Sequence, residues 1–329
     1  MVGHEPSASN PERTPTWFFP PSARLAHPAT VGDDVVVSPP PIPTFHHRDF
    51  DLATLLARKG DHTISVCLPA RNEEATIGPI VTEIRRALMV EVPLVDELVV
   101  VDDQSIDETA TVAAEAGADV VSSSDVLAHL VKGPGKGQAM WKSMYVTTGD
   151  LVTWCDADIR DFDARFVIGV LGPLLADPRV GFVKGFYDRP LGHDDQGGGR
   201  VTELMARPLI STLFPALAPV SQPLSGEYGG RRSLLEAVPF MAGYGVELGL
   251  LVDLVERFGI EVLAQVDLGQ RRHRNRSLDE LGPQAMAILQ TALRRVAPHL
   301  LDDPAPLLRP GYEPLDVDDD LCPPLRDLR

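Results

Sequence analysis

Four short, almost wholly apolar runs, at residues 63–68, 97–101, 118–121 and 151–155, are separated by helical patterns at 73–90, 109–116 and 138–148. A strand that is apolar on both faces must be covered on both, and strands that alternate with helices connect in parallel. The pattern therefore predicts an α/β fold with a mainly parallel sheet between helical layers. Such sheets bind ligands beyond the carboxyl ends of their strands. Three polar clusters stand at those ends: Pro69-Ala70-Arg71-Asn72-Glu73-Glu74, Asp102-Asp103 and Asp156-Ala157-Asp158.

After residue 160 the texture changes. Residues 166–175 read as a helix and 181–187 as a strand, followed by a Gly/Asp loop at 192–199 that leads into Arg200 and a helix start at 201–206. Residues 246–258 are amphipathic, with Leu248, Leu251, Val252, Val255 and Phe258 on one stripe that predicts a core-facing side. A strand-like run at 262–266 precedes a last helix at 284–295. Residues 1–45 carry ten prolines and little apolar periodicity, which predicts a flexible arm. Residues 302–329 are also Pro-rich, and the acids of 316–320 predict a solvated tail.

A chain of 329 residues with 44% hydrophobic content can bury one large core or two small ones. Its net charge of −17 argues against a broad basic surface for nucleic acid, and obliges any anionic ligand to find a local positive pocket. Cys67, Cys155 and Cys322 are far apart, and two of them follow or end apolar runs, so buried cytosolic thiols are expected rather than disulfides. No apolar run approaches the ~18 residues of a membrane span, and no signal-peptide pattern is present. The expectation is a cytoplasmic protein with no membrane and no nucleic-acid partner.

Each polar cluster admits a chemical and a plain reading. Asp156 and Asp158, one residue apart at a strand exit, can hold Mg²⁺ or Mn²⁺ against a diphosphate, or simply cap the strand. The strand exit at 69–74 can receive a nucleobase and ribose, or be an acid-rich helix start favoured by the helix dipole. Gly133-Pro134-Gly135-Lys136-Gly137 can bring backbone and a cation to a phosphate at a helix N-terminus, or be a surface turn. No Ser or Thr follows the lysine, so it is not a P-loop. Gly197-Gly198-Gly199-Arg200-Val201-Thr202 repeats that logic for a phosphorylated acceptor, or serves as a linker. The run 271–276 is the densest basic segment. His273 in it can complete a metal shell, or the whole run can be a solvated loop. Glu247 sits at a helix start that favours a carboxylate in any case; it can also accept hydrogen bonds from sugar hydroxyls.

Taken in order, these blocks resemble the GT-A glycosyltransferases, with a Rossmann-like nucleotide-sugar-binding sheet and an added acceptor-binding C-terminal region. More narrowly, they resemble the retaining glucosyl-3-phosphoglycerate synthases of actinobacteria. The likeness runs from about Thr63 to Leu281. It is carried by Pro-Gly-Lys-Gly (134–137), Gly-Gly-Gly-Arg-Val-Thr-Glu-Leu (197–204), Gln-Pro-Leu-Ser-Gly-Glu-Tyr (222–228), Gly-Tyr-Gly-Val-Glu (243–247) and His-Arg-Asn-Arg (273–276).

The resemblance implies a division into a Pro-rich arm (1–45), a nucleotide-sugar-binding half (46–160), an acceptor-binding half (161–300) and an acidic tail (301–329). It implies that Pro69, Ala70, Arg71, Glu73 and Asp103 hold the uridine, and that Lys136 approaches the diphosphate. Asp158 and His273 would bind Mg²⁺ or Mn²⁺. Asp156 and Glu247 would face the donor sugar, with Ala157 and Leu224 nearby, while Gly199, Arg200, Thr202 and Asn275 hold 3-phosphoglycerate. Asp156, Glu247 and Lys136 would be the catalytic set. The activity implied is metal-dependent transfer of glucose from UDP-glucose to the 2-hydroxyl of 3-phosphoglycerate, by a homodimer. A mannosyl transfer from GDP-mannose and a sugar-phosphate nucleotidyltransferase are the alternatives. The chain departs from the family at Arg71, where an apolar residue is expected, at Asp103, where a small one is, at Asp161-Phe162-Asp163, and in a shortened loop before Arg200.

Overall fold

The computed structural model describes residues 40–131, 133–188, 199–272, 277–302, 305–317 and 320–328. In chain order, β1 (Thr44–His46), α1 (Leu52–Lys59), β2 (Ile64–Ala70), α2 (Ile77–Arg85), β3 (Glu97–Asp102), α3 (Thr109–Ala116) and β4 (Asp119–Ser122) form the first part. Then come α4 (Lys136–Val146), β5 (Leu151–Trp154), α5 (Arg165–Ala176), β6 (Phe182–Asp188), α6 (Arg207–Leu213) and β7 (Tyr228–Arg231). The last part is α7 (Arg232–Leu235), β8 (Phe240–Met241), α8 (Val246–Phe258), β9 (Leu263–Gln270), α9 (Leu278–Val296) and β10 (Leu321–Cys322).

Eight strands form one sheet in the order β1-β9-β6-β7-β5-β2-β3-β4. All its pairings are parallel except those of β7, which runs antiparallel to β5 and β6. The mainly parallel α/β expectation is met, and β1 and β7 are the strands of this sheet that the apolar pattern missed. The sequence of β7, Tyr228-Gly229-Gly230-Arg231, has one apolar side chain, the buried Tyr228, and its glycines let it lie close to its neighbours: a Cβ on Gly229 would stand 2.5 Å from Val152 O. The alternation of faces along β2 shows why the runs are continuously apolar. Val66 and Leu68 enter one core and Cys67 the opposite one. The sheet continues through both halves of the chain, since β5 from the first half pairs with β7 from the second.

Three local expectations need correction. Helix α8 is not one-sided: every residue from Val246 to Val255 is buried, because β8, α9 and the turn at 260–262 pack on it. Helix α9 begins at Leu278 rather than after Pro283. Ser277 and Glu280 form a reciprocal cap at its start. Pro283 removes the donor for the Asp279 carbonyl, and Arg309 Nη1 replaces it at 3.1 Å. The C-terminal segment, expected to be solvated, is docked. Strand β10 pairs with β8, Trp141 Nε1 donates to Pro323 O at 2.8 Å, and Cys322 and Leu325 are buried. All three cysteines are free and buried, as expected. Among the described residues, no helix is long and apolar enough to cross a membrane. Residues 1–39 lie outside the described residues, and Thr44 and Phe45 of the expected arm belong to the edge strand β1 beside β9.

Candidate active site

A cavity of about 680 Å³ opens where β2, β3 and β5 end, on the side a parallel sheet reserves for ligands. The structure brings almost the whole predicted set to its walls. Pro69, Ala70, Arg71, Glu73 and Asp103 line one end. Lys136, Asp156, Ala157, Asp158 and Glu247 line the middle, with Leu224 beside them. Gly199, Arg200 and Thr202 line the cavity as well. His273 and Asn275 lie outside the described residues.

The exit of β2 is shaped by a tight turn in which Asn72 adopts φ 57°, a conformation that asparagine tolerates. Its Oδ1 accepts from Ile106 N at 2.9 Å, tying that turn to the one after β3. Thr76 Oγ1 donates to Ala157 O at 2.6 Å, which fixes the Asp-Ala-Asp turn against the start of α2. The glycines around Lys136 are required by close approach. A Cβ on Gly137 would overlap Met241 O, and one on Gly135 would stand 2.6 Å from Ala242 O. Asp103 is almost fully buried, and its oxygens accept from Ser123 Oγ at 2.9 Å and Gly135 N at 2.8 Å. An aspartate at this departure position thus pins the lysine turn to the end of β3. Burial raises its pKa, against the opposing pull of those two hydrogen bonds.

The floor of the cavity is a chain of alternating charges. Lys136 Nζ lies 2.6 Å from Glu247 Oε1 and 2.7 Å from Asp156 Oδ1. Arg271 Nη2 lies 2.9 Å from Asp156 Oδ2 and 2.6 Å from Asp158 Oδ1. Arg271 Nε lies 3.4 Å from Glu227, and its Nη1 donates to Tyr187 OH at 2.7 Å. Burial alone would push the Asp156 carboxyl up, but Lys136 and Arg271 hold it well below the usual carboxylate range. Burial would likewise lower Lys136, and Asp156 and Glu247 hold it well above the ordinary lysine value. Burial raises Glu227 against the pull of Arg271.

Arg271 and Glu227 are the residues that reading the sequence missed. Arg271 was visible only as one member of a basic run that a solvated loop would also explain. Instead it is 3% exposed and bridges both aspartates, while its neighbour Arg272 is exposed. One part of the lining was missed too: Leu315, Asp316 and Val317 of the docked C-terminal segment line the cavity.

The aspartates differ in what they can offer a cation. Both oxygens of Asp156 are taken, one by each cation. Asp158 gives Oδ1 to Arg271, and its Oδ2 has no partner among the described residues, with a side chain 21% exposed. A carboxylate oxygen free at the strand exit fits a hard divalent ion. No group of three or more His, Cys, Asp or Glu side chains suited to a metal occurs among the described residues.

An open, mostly parallel sheet with carboxylates, a lysine turn and an arginine-bearing helix start at its carboxyl edge defines a nucleotide-sugar-dependent glycosyltransferase. The model of the glycosyl transferase family 2 matches residues 65–215, in agreement. Glucosyl-3-phosphoglycerate synthase of Mycolicibacterium smegmatis is 49% identical over 256 residues, covering 77% of this chain and 84% of that protein. The same enzyme of Petrotoga mobilis is 45% identical over 260 residues, covering 77% and 80%. A crystal structure of glucosyl-3-phosphoglycerate synthase from Mycobacterium tuberculosis with Mn²⁺, UDP-glucose and phosphoglyceric acid superposes with a TM-score of 0.80 at 43% identity, covering 88% of this chain and 99% of that one. This chain belongs to the glucosyl-3-phosphoglycerate synthase family.

Proposed function

We propose that the chain transfers glucose from UDP-glucose to the 2-hydroxyl of 3-phosphoglycerate with retention, giving glucosyl-3-phosphoglycerate. The observation that carries this reading is one cavity whose walls collect two chemically distinct sets of residues. One set, at or beside the strand exits, is Lys136 with the aspartates, and the other, at a helix start, is Gly199, Arg200 and Thr202. The test is incubation with 3-phosphoglycerate and, in turn, UDP-glucose, GDP-glucose and GDP-mannose in Mn²⁺. Consumption of UDP-glucose with a new phosphorylated glycoside supports the assignment. Consumption of no donor with this acceptor removes it.

In this reading the uracil and ribose lie against Pro69, Ala70, Arg71 and Glu73, with Asp103 closing that end. Lys136 meets the diphosphate. Asp158 and His273 hold a divalent ion, Mn²⁺ or Mg²⁺, which supplies positive charge against the negative charge that builds on departing UDP. Asp156 and Glu247 face the glucose, beside Ala157 and Leu224. Arg271 orients Asp158 from behind, as a group hydrogen-bonded to a ligand does. At the other end Arg200 and Thr202, with the backbone at Gly199 and the side chain of Asn275, hold the acceptor's phosphate and carboxylate. That local positive charge is what an anion needs in a chain of net charge −17.

The homodimer is also a proposal. Helix α8 is buried within the subunit from Val246 to Val255 and leaves only its last turn exposed. Leu278, Val296, Leu300 and Leu308, on or near α9, are exposed and offer a face to a second copy. Light scattering at micromolar concentration decides it. A cytoplasmic location rests on the chemistry of the substrates, two phosphorylated anions, and on three free thiols.

A further inference from the structure

Lys136 is shared by two carboxylates that are not equivalent. Its ammonium has three donors. One points to Asp156 Oδ1 at 2.7 Å, and Glu247 Oε1 lies 2.6 Å away on the other side. Asp156 is clamped: its second oxygen is held by Arg271 at 2.9 Å, and it packs against the backbone of Gly226, where a Cβ would overlap the carboxylate. Glu247 has no ion partner other than Lys136 among the described residues. It also sits in the first turn of α8, whose N-terminal charge stabilises a carboxylate without the lysine. Of the two contacts to Lys136, the one to Glu247 is therefore the one that can be given up.

Both residues line the cavity, and Lys136 is the cation assigned to the diphosphate. Glu247 is the carboxylate assigned to the sugar. As the structure stands, each neutralises the other. We propose that Glu247 is a resident counter-anion which the donor's diphosphate displaces from Lys136, so that seating the diphosphate releases Glu247 to accept hydrogen bonds from the glucose hydroxyls. No covalent bond changes. One anion replaces another on the ammonium, and Asp156 keeps its contact throughout. The nucleotide end of the donor thereby prepares the subsite for its sugar end. The inference rests on the roles proposed above for Lys136 and Glu247.

The exchange has a consequence that a simple binding role for Glu247 does not: removing its charge should strengthen binding of the part of the donor that lacks the sugar. The experiment is calorimetric titration of UDP and of UDP-glucose, with Mn²⁺, into wild type, Glu247→Gln, Lys136→Met and the double variant. Glu247→Gln should bind UDP about tenfold more tightly, the size of one charge-assisted hydrogen bond. UDP-glucose should gain less, since the sugar loses its acceptor, and turnover should fall. In the Lys136→Met background the Glu247→Gln change should leave the UDP affinity unaltered, because there is no lysine to release. Glu247→Asp, which withdraws the carboxylate by one methylene, should tighten UDP in the same direction and serves if the amide variant does not fold. A Glu247→Gln protein that binds UDP no better than wild type overturns the exchange, as does tightening that persists without Lys136. A wild type that binds no UDP at all overturns the functional reading, and this proposal with it. The two failures are thus told apart by the wild-type titration.

Discussion

Replacing Arg271 by methionine tests how far the cavity depends on a residue that need touch no substrate. The side chain is 3% exposed and bridges Asp156, Asp158 and Glu227, with Tyr187 OH as a further partner. Methionine fills much of the volume, so the main loss is the charge and its hydrogen bonds. Three carboxylates would then be left with Lys136 as the one cation in ion-pair contact among the described residues, and that contact reaches Asp156 alone. Breaking one side of a buried ion pair costs roughly 3–5 kcal/mol. For a chain of this size that corresponds to a melting point lower by about 4–8 °C. Disturbing a group hydrogen-bonded to a metal ligand costs about 10–100-fold in metal affinity. The assay is a thermal melt combined with initial rates over a Mn²⁺ titration. The expected result is a lowered midpoint and a Mn²⁺ requirement shifted to higher concentration. Arg271→Lys should recover part of both, since one nitrogen can still bridge the aspartates but cannot also reach Glu227 and Tyr187. A methionine variant that melts with wild type and saturates at the same Mn²⁺ concentration would refute the reasoning.

Other substitutions probe the two ends of the cavity and its floor. Asp158→Ala and His273→Ala should each remove most turnover, because a lost ligand forfeits several kcal/mol of charge stabilisation; full activity of either variant in chelator would sink the metal assignment. Arg200→Ala should raise the KM for 3-phosphoglycerate by at least ~10-fold with little change for the donor, a charge-assisted hydrogen bond being worth roughly 1.5–3 kcal/mol. An unchanged acceptor curve with impaired donor binding would move that helix start to the nucleotide side. Lys184 is buried, donates to Ser225 O at 2.7 Å, and has a pKa pushed down to about 7 by burial, against the pull of Glu247. An unfolded lysine keeps its proton to about pH 10. Between these values the unfolded state binds more protons, so this group makes stability rise with pH by up to ~1.4 kcal/mol per unit, and its contribution is lost as pH falls through 7. Urea midpoints from about pH 7 to pH 9 should rise less steeply in Lys184→Met, and identical slopes would contradict it.

Much of this protein was legible from residue order. The continuous apolar runs of β2, β3 and β5 record burial on both faces, which a parallel sheet imposes on its inner strands. Ligand-facing groups cluster just after such strands, so Asp103, Asp156 and Asp158 could be picked out by position alone. The glycines beside Lys136 and the order of the motif blocks marked the remaining walls. Less local features stayed hidden. Strand β7 has two glycines where an apolar run would be sought, because its partners lie too close for side chains. Helix α8 shows one stripe in its sequence but is buried all round, because what covers its other face comes from distant segments.

Charge pairing is where sequence stops and tertiary structure decides. Six arginine, histidine and asparagine residues follow one another at 271–276, and nothing in their order singles out Arg271. Its burial is set by Asp156 and Asp158 more than a hundred residues earlier and by Glu227 just before β7, groups that meet only once the sheet has formed. The same holds for the acidic C-terminal segment. Its composition favours solvent, yet pairing with β8 and the fit of Cys322 and Leu325 into the core bring Leu315 to Val317 to the cavity wall. Periodicity records which face of an element is buried, since that is a local property of side chains. Which cation neutralises which carboxylate depends on distances between segments remote in sequence, and only the folded chain sets those.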